Sequence, residues 1–207
     1  MTIVGLGDST TAGTPFFKSP IEAPPDGAGD AQSPYAYWLM RAHPGWRVLN
    51  RGVNGERSDQ IAARFERDVL AHHPRVVIII AGVNDVYQGG AVADVERHVR
   101  AMYDRAKDAG VPVIAGSILP YNTATPEQNT KMHAINAWIE AEAARDPAIT
   151  FVDTRRAVAR TDDIDTLASS PDGVHPDVAG YRRMADAIAT ALARVLGTAL
   201  SDQEPPP

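Results

Sequence analysis

Ser9, Asp172 and His175 are residues whose types could combine into a nucleophile, its base and the group that orients the base. A serine hydroxyl attacks carbon poorly until a neighbouring base takes its proton, and the base works best when a third group fixes its orientation. Ser9 follows a short apolar run, within Gly7-Asp8-Ser9-Thr10-Thr11-Ala12-Gly13. His175 stands in Asp172-Gly173-Val174-His175-Pro176. Proline favours the first position of a helix, so the imidazole is expected at a helix start rather than in an apolar face. Asp172, earlier in the same loop, could accept the imidazole's other N–H and stabilise the imidazolium formed during attack. One loop would then deliver both base and orienter. The same two residues also suit an ordinary turn with a helix cap.

Attack on an acyl carbon places negative charge on the former carbonyl oxygen, which needs donors already in position. The chain offers the Ser9 backbone N–H, the Gly55 backbone N–H in Asn50-Arg51-Gly52-Val53-Asn54-Gly55, and the Asn84 amide in Gly82-Val83-Asn84-Asp85. Gly55 has no side chain to keep a ligand away, although Asn54-Gly55 also reads as a plain tight turn. Asp8 and Asp85 read as acceptors that fix their own loops. Other patterns carry less. Gly5-Leu6-Gly7 begins a dinucleotide fingerprint, but Thr10 occupies the third glycine's place. Gly7 and Thr11 flank Ser9 where a Gly-x-Ser-x-Gly elbow needs two glycines. His72 and His73 are adjacent and diverge on a helix, so they read as the end of the helix that Pro74 stops rather than as metal ligands.

Short β-rich runs at Thr2–Gly7, Trp46–Asn50, Arg75–Ala81, Val111–Gly116 and Ile149–Val152 must position these loops. Val76 to Ile80 is continuously apolar and β-branched, as in a strand covered on both faces of a parallel sheet. Amphipathic stripes lie between the runs: Val92, Val95, Val99, Met102 and Ala106; Ile61, Phe65 and Val69; Met132, Ile135 and Ile139; Met184, Ile188, Leu192 and Val195. Each reads as core packing. Alternating strands and helices predict an α/β protein, a three-layer α/β/α sandwich around a flavodoxin-like parallel five-stranded sheet. One domain is expected over 1–200, with an irregular Pro- and Gly-rich insertion over 14–34 and a frayed tail over 201–207. In such a sheet ligands bind at the carboxyl ends of the strands, where every loop named above falls.

Composition narrows the function further. Lys plus Arg is 20 against 26 Asp plus Glu, a net charge of −6, which argues against a nucleic-acid partner. Cysteine is absent, so thiolate chemistry and disulfides are excluded. No apolar stretch approaches the ~20 residues of a membrane span, and the start shows no signal-peptide pattern, so a cytoplasmic location is expected.

The four blocks, Gly7-Asp8-Ser9-x-Thr11-x-Gly13, Gly55, Gly82-x-Asn84-Asp85 and Asp172-x-x-His175-Pro176, resemble those of the GDSL, or SGNH, hydrolase family, in the family's order and over nearly the whole chain. Thr10 stands where the family name has Leu, at a place that carries no chemistry. The resemblance implies the flavodoxin-like sandwich and a serine esterase or lipase needing no cofactor or metal. Ser9 would be nucleophile, His175 base and Asp172 its partner, with Ser9, Gly55 and Asn84 forming the oxyanion hole. A small acyl ester or lipid-like substrate is implied, with an O-acetylated carbohydrate, an acyl thioester or a non-catalytic binding module as alternatives. Phe16 and Phe17 in the insertion and Tyr121 in the loop after the fourth strand are the expected substrate contacts. The insertion itself reads equally as a lid or acyl pocket and as an oligomer contact.

Overall fold

The computed structural model describes residues 1–201, with side chains through residue 197. Its strands are β1 (Thr2–Gly7), β2 (Phe17–Lys18), β3 (Ala28–Gly29), β4 (Arg47–Gly52), β5 (Val76–Ile80), β6 (Val113–Gly116) and β7 (Ile149–Val152). Its α-helices are α1 (Ser9–Ala12), α2 (Tyr35–Ala42), α3 (Ser58–Ala63), α4 (Phe65–Asp68), α5 (Val83–Tyr87), α6 (Val92–Asp108), α7 (Pro126–Arg145), α8 (Thr154–Val158) and α9 (Val178–Ser201). Five strands form one sheet in the order β4-β1-β5-β6-β7, every neighbouring pair parallel. Counted along the chain this is the flavodoxin-like order, with the reversal at β1.

Alternation along the central strands feeds two cores. Val4, Leu6, Val77 and Ile79 point into one, beneath α3, α4, α6 and α7. Ile3, Val76, Ile78 and Ile80 point into the other, beneath α2, α8 and α9. Every residue of β5 is buried, as expected of a strand covered on both faces. Burial of a side chain of this size contributes about 1.5–3 kcal/mol, so the middle strand anchors the fold.

The register matters for function. Gly7 pairs with Gly52 on one side and Ile80 on the other, so the loops after β1, β4 and β5 leave the sheet side by side. A Cβ at Gly52 would collide with the backbone of Ala12, so only glycine there lets α1 settle onto the end of β4.

The stripe at Ile61, Phe65 and Val69 does not form one helix. It breaks at Arg64, whose backbone leaves helical geometry between α3 and α4, while all three apolar side chains stay fully buried. Nor does Pro176 begin a helix: α9 starts at Val178, and the Asp177 carboxylate accepts the Gly180 N–H at 2.7 Å to cap it. The 14–34 segment contains the two-stranded ribbon β2–β3. Ser201 is the last residue of α9, and the expected tail beyond it lies outside the described residues. Among the described residues, no helix is long and apolar enough to cross a membrane.

Candidate active site

Asp8 caps α1: its Oδ1 accepts the Thr10 N–H at 2.9 Å, which turns the chain sharply and sets Ser9 at the first helical position. Ser9 is 7% exposed, with its hydroxyl at the floor of a cleft. His175 arrives from the loop ahead of α9, and its Nε2 lies 2.9 Å from Ser9 Oγ. On the other side of the ring, Nδ1 lies 2.7 Å from Asp172 Oδ2. A carboxylate there draws the ring proton to Nδ1, leaving Nε2 free to accept the Ser9 proton. Asp172 Oδ1 accepts the backbone N–H groups of Val174 and His175 at 2.9 and 2.8 Å, and Ser170 Oγ donates to the His175 carbonyl at 2.7 Å. Partial burial works to raise the Asp172 carboxyl, but these hydrogen bonds and the imidazole hold it below the usual carboxylate range.

Gly55 and Asn84 line the same cleft as Ser9 and His175. Asn84 Nδ2 donates one hydrogen to the Glu56 carbonyl at 2.9 Å, which fixes the amide and leaves its second hydrogen for a ligand. Asp85 accepts both the Ser58 N–H and hydroxyl, at 2.8 and 2.7 Å, and so docks α5 against α3. Arg64, 6% exposed, ties the strand ends together: it donates to the Gly7 and Arg51 carbonyls at 2.8 Å each and to Glu56 at 2.7 Å. Its role depends on carbonyl groups, which no residue pattern announces.

The cleft holds about 360 Å³. One wall is apolar, from Val83, Tyr87, Leu119, Tyr121 and Val174; Thr14 and Asn54 form a polar edge. The Tyr87 and Tyr121 rings meet edge to face at 5.6 Å. Tyr121 therefore lines the site, whereas Phe16 and Phe17 do not. Phe17 pairs with Gly29 in the ribbon and lines a separate hollow with Pro20, Pro25 and Tyr37 beside the sheet edge. Phe16, in the turn just ahead of β2, is 44% exposed. The ribbon holds the two phenylalanines away from the cleft, which corrects that expectation, although Thr14 at the start of the segment reaches its edge. Tyr87 was missed, though its place three residues beyond Asn84 on one helix face was a usable signal. His72 Nε2 accepts from Arg51 Nη2 at 2.8 Å.

Asp8 Oδ2 is buried and has no hydrogen-bond partner among the described residues. Burial pushes the carboxyl up to about 6, against the opposing pull of the Thr10 N–H and of His175. Between about pH 4 and 6 the folded chain holds a proton that the unfolded chain has released. Stability from this source is therefore greatest at low pH and is lost as pH rises through that window. Asp8→Asn keeps the acceptor for Thr10 and removes the buried charge, so it is expected to stabilise the fold by ~1–3 kcal/mol at pH 8 and scarcely at pH 4. Denaturant titrations at both pH values check this; an equal change at the two would contradict it.

Known proteins match this chain in sequence and in fold. Residues 6–183 match the model of the GDSL-like lipase/acylhydrolase family. An acetylxylan esterase from Geobacillus stearothermophilus is 31% identical over 173 residues, which are 74% of this chain and 76% of that protein. Among solved structures, a GDSL-like lipase from Bacteroides thetaiotaomicron superposes with a TM-score of 0.71 at 26% identity, covering 93% of this chain and 88% of its own. A catalytic mutant of a Geobacillus stearothermophilus acetylxylan esterase superposes at 0.72 and 25% identity, covering 95% of this chain and 94% of its own. The chain belongs to the GDSL-like lipase/acylhydrolase family, and it is an esterase of that family.

Proposed function

We propose that the chain cleaves carboxylic esters through an acyl-enzyme on Ser9, with His175 as general base and Asp172 as its orienting partner. The observation that carries this reading is the unbroken relay from Ser9 Oγ to His175 Nε2 at 2.9 Å and from Nδ1 to Asp172 at 2.7 Å. Ser9 Oγ bonds to the acyl carbon as its proton passes to Nε2. The negative charge on the acyl oxygen is met by the Ser9 and Gly55 N–H groups and the Asn84 amide. When the tetrahedral adduct collapses, the ester C–O bond breaks and the imidazolium returns the proton to the leaving alkoxide. Water, deprotonated by the same imidazole, then releases the acid and restores Ser9.

The cleft supports a short acyl group on a hydroxyl-bearing alcohol such as an acetylated sugar. Its volume is modest, it joins an apolar wall to a polar edge, and Tyr87 offers a ring face at the rim, 58% exposed. The acetylxylan esterase relative points the same way. A fluorophosphonate probe should label Ser9 of the folded protein, and acetate release from acetylated xylose should outpace hydrolysis of long-chain nitrophenyl esters. No labelling of folded protein would leave a binding module in place of an enzyme. Faster turnover of long chains would replace the sugar ester with a lipid-like substrate.

A further inference from the structure

The turn that carries Gly55 has little packed around it. Gly55 is exposed at φ 74°, and nothing lies within 4 Å of where its Cβ would be. Among the described residues its N–H has no intramolecular acceptor, so its direction depends on how the turn is held. Hydrogen bonds do this from three sides. From α5, Asn84 holds the Glu56 carbonyl at 2.9 Å, and Gln88 Nε2, just past the end of α5, reaches the Gly55 carbonyl at 3.4 Å. From the helix break, Arg64 holds the Glu56 carboxylate at 2.7 Å. The third side is the 14–34 segment.

There Glu22 takes hold of Asn54 with both carboxylate oxygens. Oε1 accepts the Asn54 backbone N–H at 3.2 Å and its Nδ2 at 3.0 Å, and Oε2 lies 3.0 Å from Nδ2. Asn54 Oδ1 in turn accepts the Thr14 hydroxyl. Glu22 is itself seated, because its N–H donates to the Ser19 carbonyl at 3.0 Å and the fully buried Ser19 hydroxyl donates to the Gly52 carbonyl at 2.5 Å. The segment thus grips the loop after β4 at two places, Gly52 and Asn54. The Gly55 N–H belongs to the planar peptide unit that begins at Asn54, so anchoring Asn54 by backbone and side chain restrains rotation of that unit. Bonds to an ionised acceptor are roughly twice as strong as neutral ones, which suits a carboxylate for this task.

We propose that Glu22 is a positioning residue for ester hydrolysis, holding Asn54 so that the Gly55 N–H faces the developing oxyanion. The proposal rests on the serine-hydrolase reading above. It gives the segment a part in the chemistry without contact with the reacting atoms.

The test measures kcat and KM for nitrophenyl acetate, inhibition by phenylboronic acid, and melting temperature, in wild type, Glu22→Ala, Glu22→Gln and Ser9→Ala. The boronic acid forms a tetrahedral adduct on a serine hydroxyl and places an oxygen among the same donors. Glu22→Ala is expected to lower kcat about 10- to 100-fold with KM within about twofold, and to weaken phenylboronic acid in proportion. Glu22→Gln retains one acceptor oxygen and should fall between alanine and wild type. A kcat for Glu22→Ala within about twofold of wild type overturns the proposal, given that a misplaced oxyanion donor costs far more. So does a loss that follows melting temperature and is no smaller for glutamine. If the alanine variant does not fold, wild-type kcat in Glu22→Gln overturns it as well. Wild-type turnover by Ser9→Ala would remove the hydrolase reading and this proposal together. An inactive Ser9→Ala beside a fully active Glu22→Ala removes the proposal alone.

Discussion

Replacing Ser9 with alanine is expected to lower kcat/KM for any ester by about 10⁵-fold or more, with the unfolding transition unmoved. The hydroxyl's partner within the fold is His175 Nε2, and the Asp8 cap that shapes α1 acts on the Thr10 backbone, so neither the turn nor the core needs Oγ. Without it no bond to the acyl carbon can form, and what remains is the polarisation of the carbonyl by the donor cluster. Steady-state kinetics beside a thermal melt checks both halves. Wild-type turnover in the folded variant would leave the acyl-enzyme mechanism without its nucleophile.

The second large effect is expected at Asp172, and two substitutions divide its work. Asp172 Oδ1 accepts the Val174 and His175 backbone N–H groups, while Oδ2 faces the imidazole at 2.7 Å. Asp172→Asn can keep the loop, since its own oxygen serves those two amides. Its NH₂ then meets Nδ1 and draws the ring into the tautomer whose Nε2 carries a proton and cannot accept one from Ser9. A loss of about 10⁴ in kcat is expected, with little change in KM or stability. Asp172→Ala also frees the backbone amides, so it should add a loss of loop order, read as faster amide exchange at Val174 and His175. A kinetically silent asparagine variant would mean that a different group orients the base.

Much of this arrangement is visible in the order of residues, for reasons that differ from place to place. Val76 to Ile80 declares a covered strand because its five branched side chains leave no polar face. Right-handed crossovers then leave few orders for its neighbours, the flavodoxin-like order among them. The loops at the carboxyl ends are equally visible, since tight turns need Gly, Asn and Ser and a strand end is where such residues collect. What stays hidden is whatever depends on backbone groups or on chain reversal. Arg64 breaks a regular apolar stripe to reach carbonyls, and a carbonyl is the same in every residue. Glu22 lies in a segment without periodicity, where one acidic residue looks like any other. Phe16 and Phe17 are turned aside by a ribbon of two-residue strands, too short to leave an alternating pattern. Pro176 falls ahead of its helix because Asp177 is the better cap.

The His175–Asp172 contact spans three residues of chain, whereas the His175–Ser9 contact spans 166. The imidazole and its carboxylate therefore sit on one loop and are oriented locally, whereas the distance from ring to hydroxyl is set by how that loop docks against the end of β1. A substitution that loosened this docking would separate the ring from the hydroxyl while leaving its orientation by Asp172 intact.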